Sequence, residues 1–337
     1  MKARATFAPD AVRAKQALAL GLAAIFSLGV AAASLGVPRL MRGEQSASGP
    51  VLKGFARSFE RMGRIDVSSA RLSVSLVRGD QGWTMPQRGG HPIDAQALAN
   101  VAKALSDLSL TDVRATGPQA AARLGLDDPK GGGQGTHLVV TSTTGAALYD
   151  VFLRQTQGAT LVRFANQDAI YEAKGALPRL DELALWLNLK PVDIMPENIA
   201  SVQAQMAGEA AYGIVRRPDG GFAPLGGSAN PVATQTALAL TQFVAEDVHA
   251  RASLTAQPLG THTTFLRTGL HVVATFYQSE TGTCAAIAAK ADETGGQAAA
   301  DAINKIAKGW CYDMPLTIAE TFMTPRAAIM GSADALQ

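Results

Sequence analysis

The chain is poor in the residues that usually carry chemistry. Its 337 residues include two cysteines, Cys284 and Cys311, and five histidines. No CxxC and no Cys/His pair at zinc spacing is present, and none of His91, His137, His249, His262 and His271 falls in an HExxH pattern. No metal site is therefore expected. Aromatics make up only 6%, the net charge is only +2 and no Lys/Arg run occurs, so neither a base-stacking platform nor an electrostatic footprint for nucleic acid is present. A Gly-x-Ser-x-Gly elbow is missing. The glycine-rich stretch 131–135 lacks the Gly-Lys-Ser/Thr of a phosphate cradle and runs into a strand, so it reads as a flexible linker. The paired acids Asp127-Asp128 and Asp181-Glu182 read as solvated carboxylates, in a turn and on a polar helix face. No catalytic, cofactor-binding or metal-ligating residue is assigned, and the chain is expected not to be an enzyme.

Residues 17–37 carry no charge. As a helix they would span roughly 30 Å, the thickness of a bilayer core. A signal anchor that stays in the membrane is favoured over a cleaved signal peptide, because the apolar run continues past the Ala31-Ala32-Ala33 site. Cationic residues flank the run on both sides, so orientation rests on the charged start and apolar stretch, which place the body outside. The expected division is a cytoplasmic tail over 1–16, an anchor over 17–37, a tether over 38–65 and two α+β repeats over 66–197 and 198–337.

The repeat is the most informative feature of the body. In each half an alternating strand reaches an Arg, then a turn with Asp, then Gly and an aromatic. The first turn is Arg78-Gly79-Asp80-Gln81-Gly82-Trp83, the second Arg217-Pro218-Asp219-Gly220-Gly221-Phe222. Each leads to a proline and a helix. Pro92 opens the first, with Leu98, Val101, Leu105 and Leu108 at helical spacing. Pro231 opens the second, with Leu238, Phe243 and Val244 inward. Gly135-Thr136-His137 and Gly260-Thr261-His262 then begin matching strand meanders, which suggests a shared structural role for His137 and His262. The pattern predicts two tandem antiparallel sheets with helices on one face, joined by a helix over 180–189.

Four short signatures occur in order: the turn at 78–83, Leu-Gly-Leu-Asp-Asp-Pro at 124–129, Trp186-Leu187 leading to Asp-Ile-Met-Pro at 193–196, and Gly-Trp-Cys-Tyr at 309–312. Together they resemble DUF4340, a family of unknown function. The resemblance implies an exported, often membrane-anchored α+β domain, some of whose members look like auxiliary components beside ABC-2 and gliding-type transporters. It implies no catalytic residues. Cys311 stands where the family commonly has a plain apolar residue, which favours two buried thiols. The other reading is a Cys284–Cys311 disulfide, worth roughly 3–4 kcal/mol if the body is exported.

The candidate partner contacts are Trp83, Phe222, Arg78 and Arg217, although capping of the sheet cores is the plainer role for the two aromatics. The expected function is that of a non-catalytic binding or scaffold protein. It would be single-pass in a bacterial inner membrane, its body periplasmic, beside a membrane-protein partner such as an ABC permease. A small-molecule or glycan site between the repeats is the alternative, ahead of an unrecognised hydrolase.

Overall fold

The computed structural model describes residues 48–117, 119–292 and 295–331. The proposed tail and anchor lie outside these residues. Among the described residues no helix is long and apolar enough to cross a membrane.

The chain forms two antiparallel sheets with helices, an α+β fold. The first sheet contains β1 (Gly49–Pro50), β2 (Met62–Ser68), β3 (Ser73–Gly79), β4 (Gly82–Met85), β5 (His91–Pro92), β6 (Ser109–Ala115), β7 (Thr136–Ser142), β8 (Ala147–Gln155), β9 (Thr160–Phe164) and β10 (Ile170–Lys174). Its order is β1-β6-β10-β9-β8-β7-β2-β3-β4-β5. The second contains β11 (Ile199–Met206), β12 (Tyr212–Arg216), β13 (Phe222–Pro224), β14 (Asp247–Ala250), β15 (Gly260–Leu266), β16 (Leu270–Gln278), β17 (Thr283–Ala291) and β18 (Trp310–Asp313). Its order, read from the far end, is β14-β18-β17-β16-β15-β11-β12-β13. With β1 and β5 set aside, the two sheets share one strand order. Helix α1 (Ala95–Asp107) leaves the first sheet where α2 (Pro231–Leu238) leaves the second.

Local chemistry explains both helices. Asp94 caps α1 by accepting from the backbone N–H of Gln96 and Ala97, at 2.8 and 3.0 Å. Asn230 caps α2 by accepting from Ala233 N–H at 2.7 Å, with Pro231 in the first turn. Each cap contributes about 1 kcal/mol. Leu98, Val101 and Leu105 of α1 bury against Ile65 of β2 and Leu138 and Val140 of β7. Each such side chain stabilises by roughly 1.5–3 kcal/mol relative to exposure. On the second sheet, α3 (Gln297–Ala307) packs over β16 and β17. There the Asn304 side chain closes two 2.8 Å bonds with the backbone of Ala289. Near the C-terminal end two short helices, α4 (Leu316–Phe322) and α5 (Arg326–Met330), both pack against α2.

Several expectations are corrected. Within the proposed tether, residues 49–65 are structured. Gly49 and Pro50 pair with β6, Val51, Leu52 and Phe55 are buried, and β2 starts at Met62. Those three apolar side chains among polar residues give the segment a reason to fold. The joining segment is not a helix over 180–189; only a 3-10 turn forms, at Leu183–Leu185. Leu180, Trp186, Leu187 and Leu189 are all buried, and the Trp186 indole donates to Leu180 O at 3.0 Å. A segment wanted by the core on several sides has no solvated helix face to present. Asp181 and Glu182 lie instead around Arg179, at 3.3 and 3.1 Å. The chain leaves α2 through a 3-10 turn at Ala239–Gln242, which keeps Phe243 buried but leaves Val244 51% exposed rather than inward. The stretch 131–135 is not a loose linker, since a Cβ on Gly133 would lie 2.0 Å from Asp127 O.

Candidate functional site

The two sheets meet edge to edge, β5 of the first beside β14 of the second. Gly89, with φ +65°, lets the preceding turn close against Ala250: a Cβ there would lie 2.9 Å from the Ala250 Cβ. Arg88 Nε reaches across to Asp247 Oδ1 at 2.5 Å. The His91 ring packs 4.7 Å from Trp310, centroid to centroid. Asp94 N–H and Ala245 N–H donate to Trp186 O and Leu189 O of the joining segment, at 3.0 and 2.9 Å.

Beside this junction opens a cleft of about 580 Å³. Its polar wall includes Arg88, Asp247, His249, Ser279, Glu280 and Asp313, with Thr281 beside them. Asp313 is 9% exposed and accepts from the hydroxyls of Ser279 and Thr281, at 2.9 and 3.0 Å. Its Oδ2 stands 3.5 Å from His249 Nδ1. The Nε2 of His249 is buried and has no hydrogen-bond partner among the described residues. Arg88 and Asp247 are both partly exposed, so their attraction sets the geometry of the junction more than it stabilises it. The arrangement can hold a small polar molecule through hydroxyl, carboxylate, imidazole and guanidinium groups. A second hollow, of about 330 Å³, is lined by Arg154 and Arg179. Arg154 is committed there to Leu124 O and Gln134 Oε1, at 2.6 and 2.7 Å, and Arg179 to its two acids.

Cys284 and Cys311 form a disulfide, with Cα atoms 5.5 Å apart, behind the cleft wall on β17 and β18. They are not two separate thiols. Both are fully buried and pack with Tyr277, over whose ring Arg251 sits at 3.7 Å. His249 lies close enough that one ligand atom from each of the three residues falls within 4.8 Å of the others. With the sulfurs bonded to each other, neither is a thiolate and the set holds no metal.

The candidate contact residues do not converge on the cleft. Phe222 is 2% exposed, with the Arg216 guanidinium 4.3 Å above its ring, so it is a core residue and not a partner contact. Trp83 is half-buried, its ring 6.1 Å from Phe59. Arg78 donates to Glu60 O at 2.7 Å, just before β2. Its counterpart is Arg216 rather than Arg217: Arg78 pairs with Trp83 across its hairpin, and Arg216 with Phe222. Arg216 donates to Ile199 O at 2.6 Å and to Pro196 O, at the start of β11. Both arginines tie a hairpin to the entry of the first strand of their sheet, while Arg217 is exposed and 3.7 Å from Asp219.

His137 and His262 do not share a role. His137 lies on the sheet face opposite Leu138, partly buried, stacked on Phe152 of the smaller apolar cluster and 2.7 Å from Asp150 Oδ1. His262 is fully buried, with Nε2 donating to Thr236 O at 3.1 Å. Burial pushes its pKa down to about 4. The residue with its register in the first sheet is Leu138, which pairs with Val67 as His262 pairs with Ala204. A one-residue slip exchanges the faces of a strand.

Sequence reasoning missed the cleft wall. Its signal is period-two spacing on strands: Asp247-Val248-His249 and Cys311-Tyr312-Asp313 each place two polar or sulfur groups on one face.

The family model for a domain of unknown function, DUF4340, matches residues 83–261, just over half the chain. The chain belongs to the DUF4340 family. The match runs from β4 into β15 and so spans the junction between the sheets. No curated protein and no solved structure matches the chain. The Leu-Gly-Leu-Asp-Asp-Pro segment at 124–129, which lies within the match, has a clear structural use: Leu126 is buried and its carbonyl accepts from Arg163 Nε and Nη2, at 3.1 and 2.9 Å.

Proposed function

We propose that this DUF4340 protein is a non-catalytic extracytoplasmic binding module. It is tethered to a bacterial inner membrane by residues 17–37 and serves a membrane-protein partner such as an ABC permease. The observation that carries the reading is the buried Cys284–Cys311 disulfide, because such bonds persist in oxidising compartments. The uncharged run at 17–37 supplies the means of export and attachment. The test is an alkaline-phosphatase fusion after residue 331 in a bacterial host, combined with membrane fractionation and thiol labelling. Phosphatase activity, membrane association and blocked thiols are expected. A cytosolic body with free thiols would refute the reading.

A second reading is favoured by the cleft. A space of about 580 Å³ at a junction between two sheets, walled by converging polar groups, suits a small polyhydroxylated or charged ligand. A thermal-shift screen with mono- and disaccharides and polar metabolites tests it. A hit that Asp313→Asn abolishes supports the reading. A flat screen at millimolar concentrations sinks it.

A further inference from the structure

The register of three adjacent strands brings an unusual set of side chains together. On β14 and β18, His249 stands opposite Cys311 and Asp247 opposite Asp313. On β17, Cys284 stands opposite Asp313. Alternation puts all five on one face, while Val248, Tyr312 and Ala285 are buried on the other. Two sulfurs and an imidazole nitrogen lie within 4.8 Å of one another. Asp313 Oδ2 is beside His249 Nδ1, which leaves the buried, unpartnered Nε2 as the nitrogen available to ligate. Metal-binding histidines characteristically donate their second ring N–H to a carboxylate, and Asp313 is already oriented for that by Ser279 and Thr281.

We propose that reduction of the Cys284–Cys311 disulfide turns this face into a zinc site. Its ligands are the two thiolates and His249 Nε2, and a water from the cleft takes the fourth position. Two sulfurs and one imidazole are a donor set that suits zinc. The reductant is a dithiol. It delivers two electrons and two protons to the S–S bond, giving two thiols, and is itself oxidised to a disulfide. Zinc then displaces the two thiol protons to the solvent as the Zn–S bonds form. The disulfide is thus the metal-free, closed form of the site. Zinc binding is gated by redox state, independently of whether the cleft takes an organic ligand.

The test uses the full chain in detergent, either oxidised or reduced with a trialkylphosphine, titrated with zinc alone against a chromophoric chelator. Cobalt serves as a spectroscopic substitute. One equivalent of zinc is expected in the reduced chain and none in the oxidised chain, with a thiolate-to-cobalt charge-transfer band and tetrahedral cobalt absorption. His249→Ala should weaken zinc binding by at least tenfold, and His249→Gln should do the same in a better-packed background. Should reduction unfold the second sheet, zinc should restore its circular dichroism. The proposal is overturned if the reduced, folded chain takes up no zinc. Equal affinity in both His249 variants and the parent, or failure of zinc to restore a lost fold, would overturn it equally.

Discussion

Acid should destabilise this fold through His262. The ring is 1% exposed, between Thr236 of α2 and the edge of Phe322, whose centroid is 5.0 Å away. A carbonyl can only accept, so the 3.1 Å contact with Thr236 O requires the proton on Nε2 and leaves Nδ1 as the lone-pair nitrogen facing the Thr264 hydroxyl at 3.5 Å. Protonating Nδ1 would place a charge where no carboxylate stands among the described residues. The native pKa is accordingly about 4, against 6.5 for an ordinary imidazole. Between those values the unfolded chain binds a proton that the native chain refuses, so stability is full above pH 6.5 and falls as the pH drops towards 4. The loss approaches about 3 kcal/mol, from roughly 1.4 kcal/mol per pH unit over the window. Below the native pKa this contribution levels off. Urea unfolding followed by circular dichroism at half-unit steps from pH 7.5 to 4.5 measures the slope. His91, whose pKa is also lowered by burial, adds a slope of the same sign, so the decisive quantity is a difference between variants. His262→Leu places at this position the residue that the first sheet carries at the equivalent register. The Thr236 carbonyl keeps a partner in the N–H of Ala239. The variant should lose most of the slope. An unchanged pH dependence in His262→Leu would refute the assignment of a buried neutral imidazole.

Three further perturbations follow from the packing. Replacing both Cys284 and Cys311 with Ala should lower stability by about 3.5 kcal/mol, from the loop entropy of a 27-residue separation, read as a lower urea midpoint with a slope that rises as the uncrosslinked denatured chain expands. Gly133→Ala should destabilise by 2 kcal/mol or more, roughly, because its Cβ meets the Asp127 carbonyl at 2.0 Å and must push backbone aside; thermal unfolding reports it. Phe222→Ala should cost about 3–5 kcal/mol as a cavity in a filled core, whereas Trp83→Ala, at a half-buried site, should cost less; the order of the two unfolding midpoints is the check.

The residues that were legible are those whose signal is local. The Asp-Gln and Pro-Asp-Gly turns mark the β3–β4 and β12–β13 connections, and Pro92-Ile93-Asp94 and Asn230-Pro231 mark the helix starts, because turn and cap chemistry act within a few residues. The failures share a cause as well. Matching Arg78 to Arg217 and His137 to His262 places each pair one residue out of strand register. The second hairpin loop holds five residues where the first holds Asp80 and Gln81, and only the cross-strand partners Trp83 and Phe222 reveal the slip. Composition cannot show which face a residue takes, so Leu138 and His262 look unrelated although they occupy one position. The cleft wall was out of reach for a different reason: Asp247 and His249 meet Cys311 and Asp313 only through pairing across more than sixty residues of chain.

The edge-to-edge junction also bears on solubility and partner choice. An open sheet presents unpaired N–H and C=O groups at both edges and invites further strands. Here β5 and β14 cover each other, so among the described residues each sheet keeps one outer edge, at β1 and at β13. The β13 edge is three residues long and ends in Pro224, which has no N–H to donate, and so it offers little template for a further strand. Leu225, next in the chain, is 65% exposed. The β1 edge is two residues long, and the chain enters the described fold there. Beyond β1, residues 111–115 of β6 have no strand partner on that side among the described residues, so a further strand could pair there but hardly at β13. At the β13 end, contacts to a partner of the kind proposed should therefore run through side chains and loops, and Leu225→Asp should weaken such a complex without moving the unfolding midpoint. A pull-down paired with urea unfolding separates the two effects, and a loss of stability equal to the loss of binding would show that Leu225 acts on the fold instead.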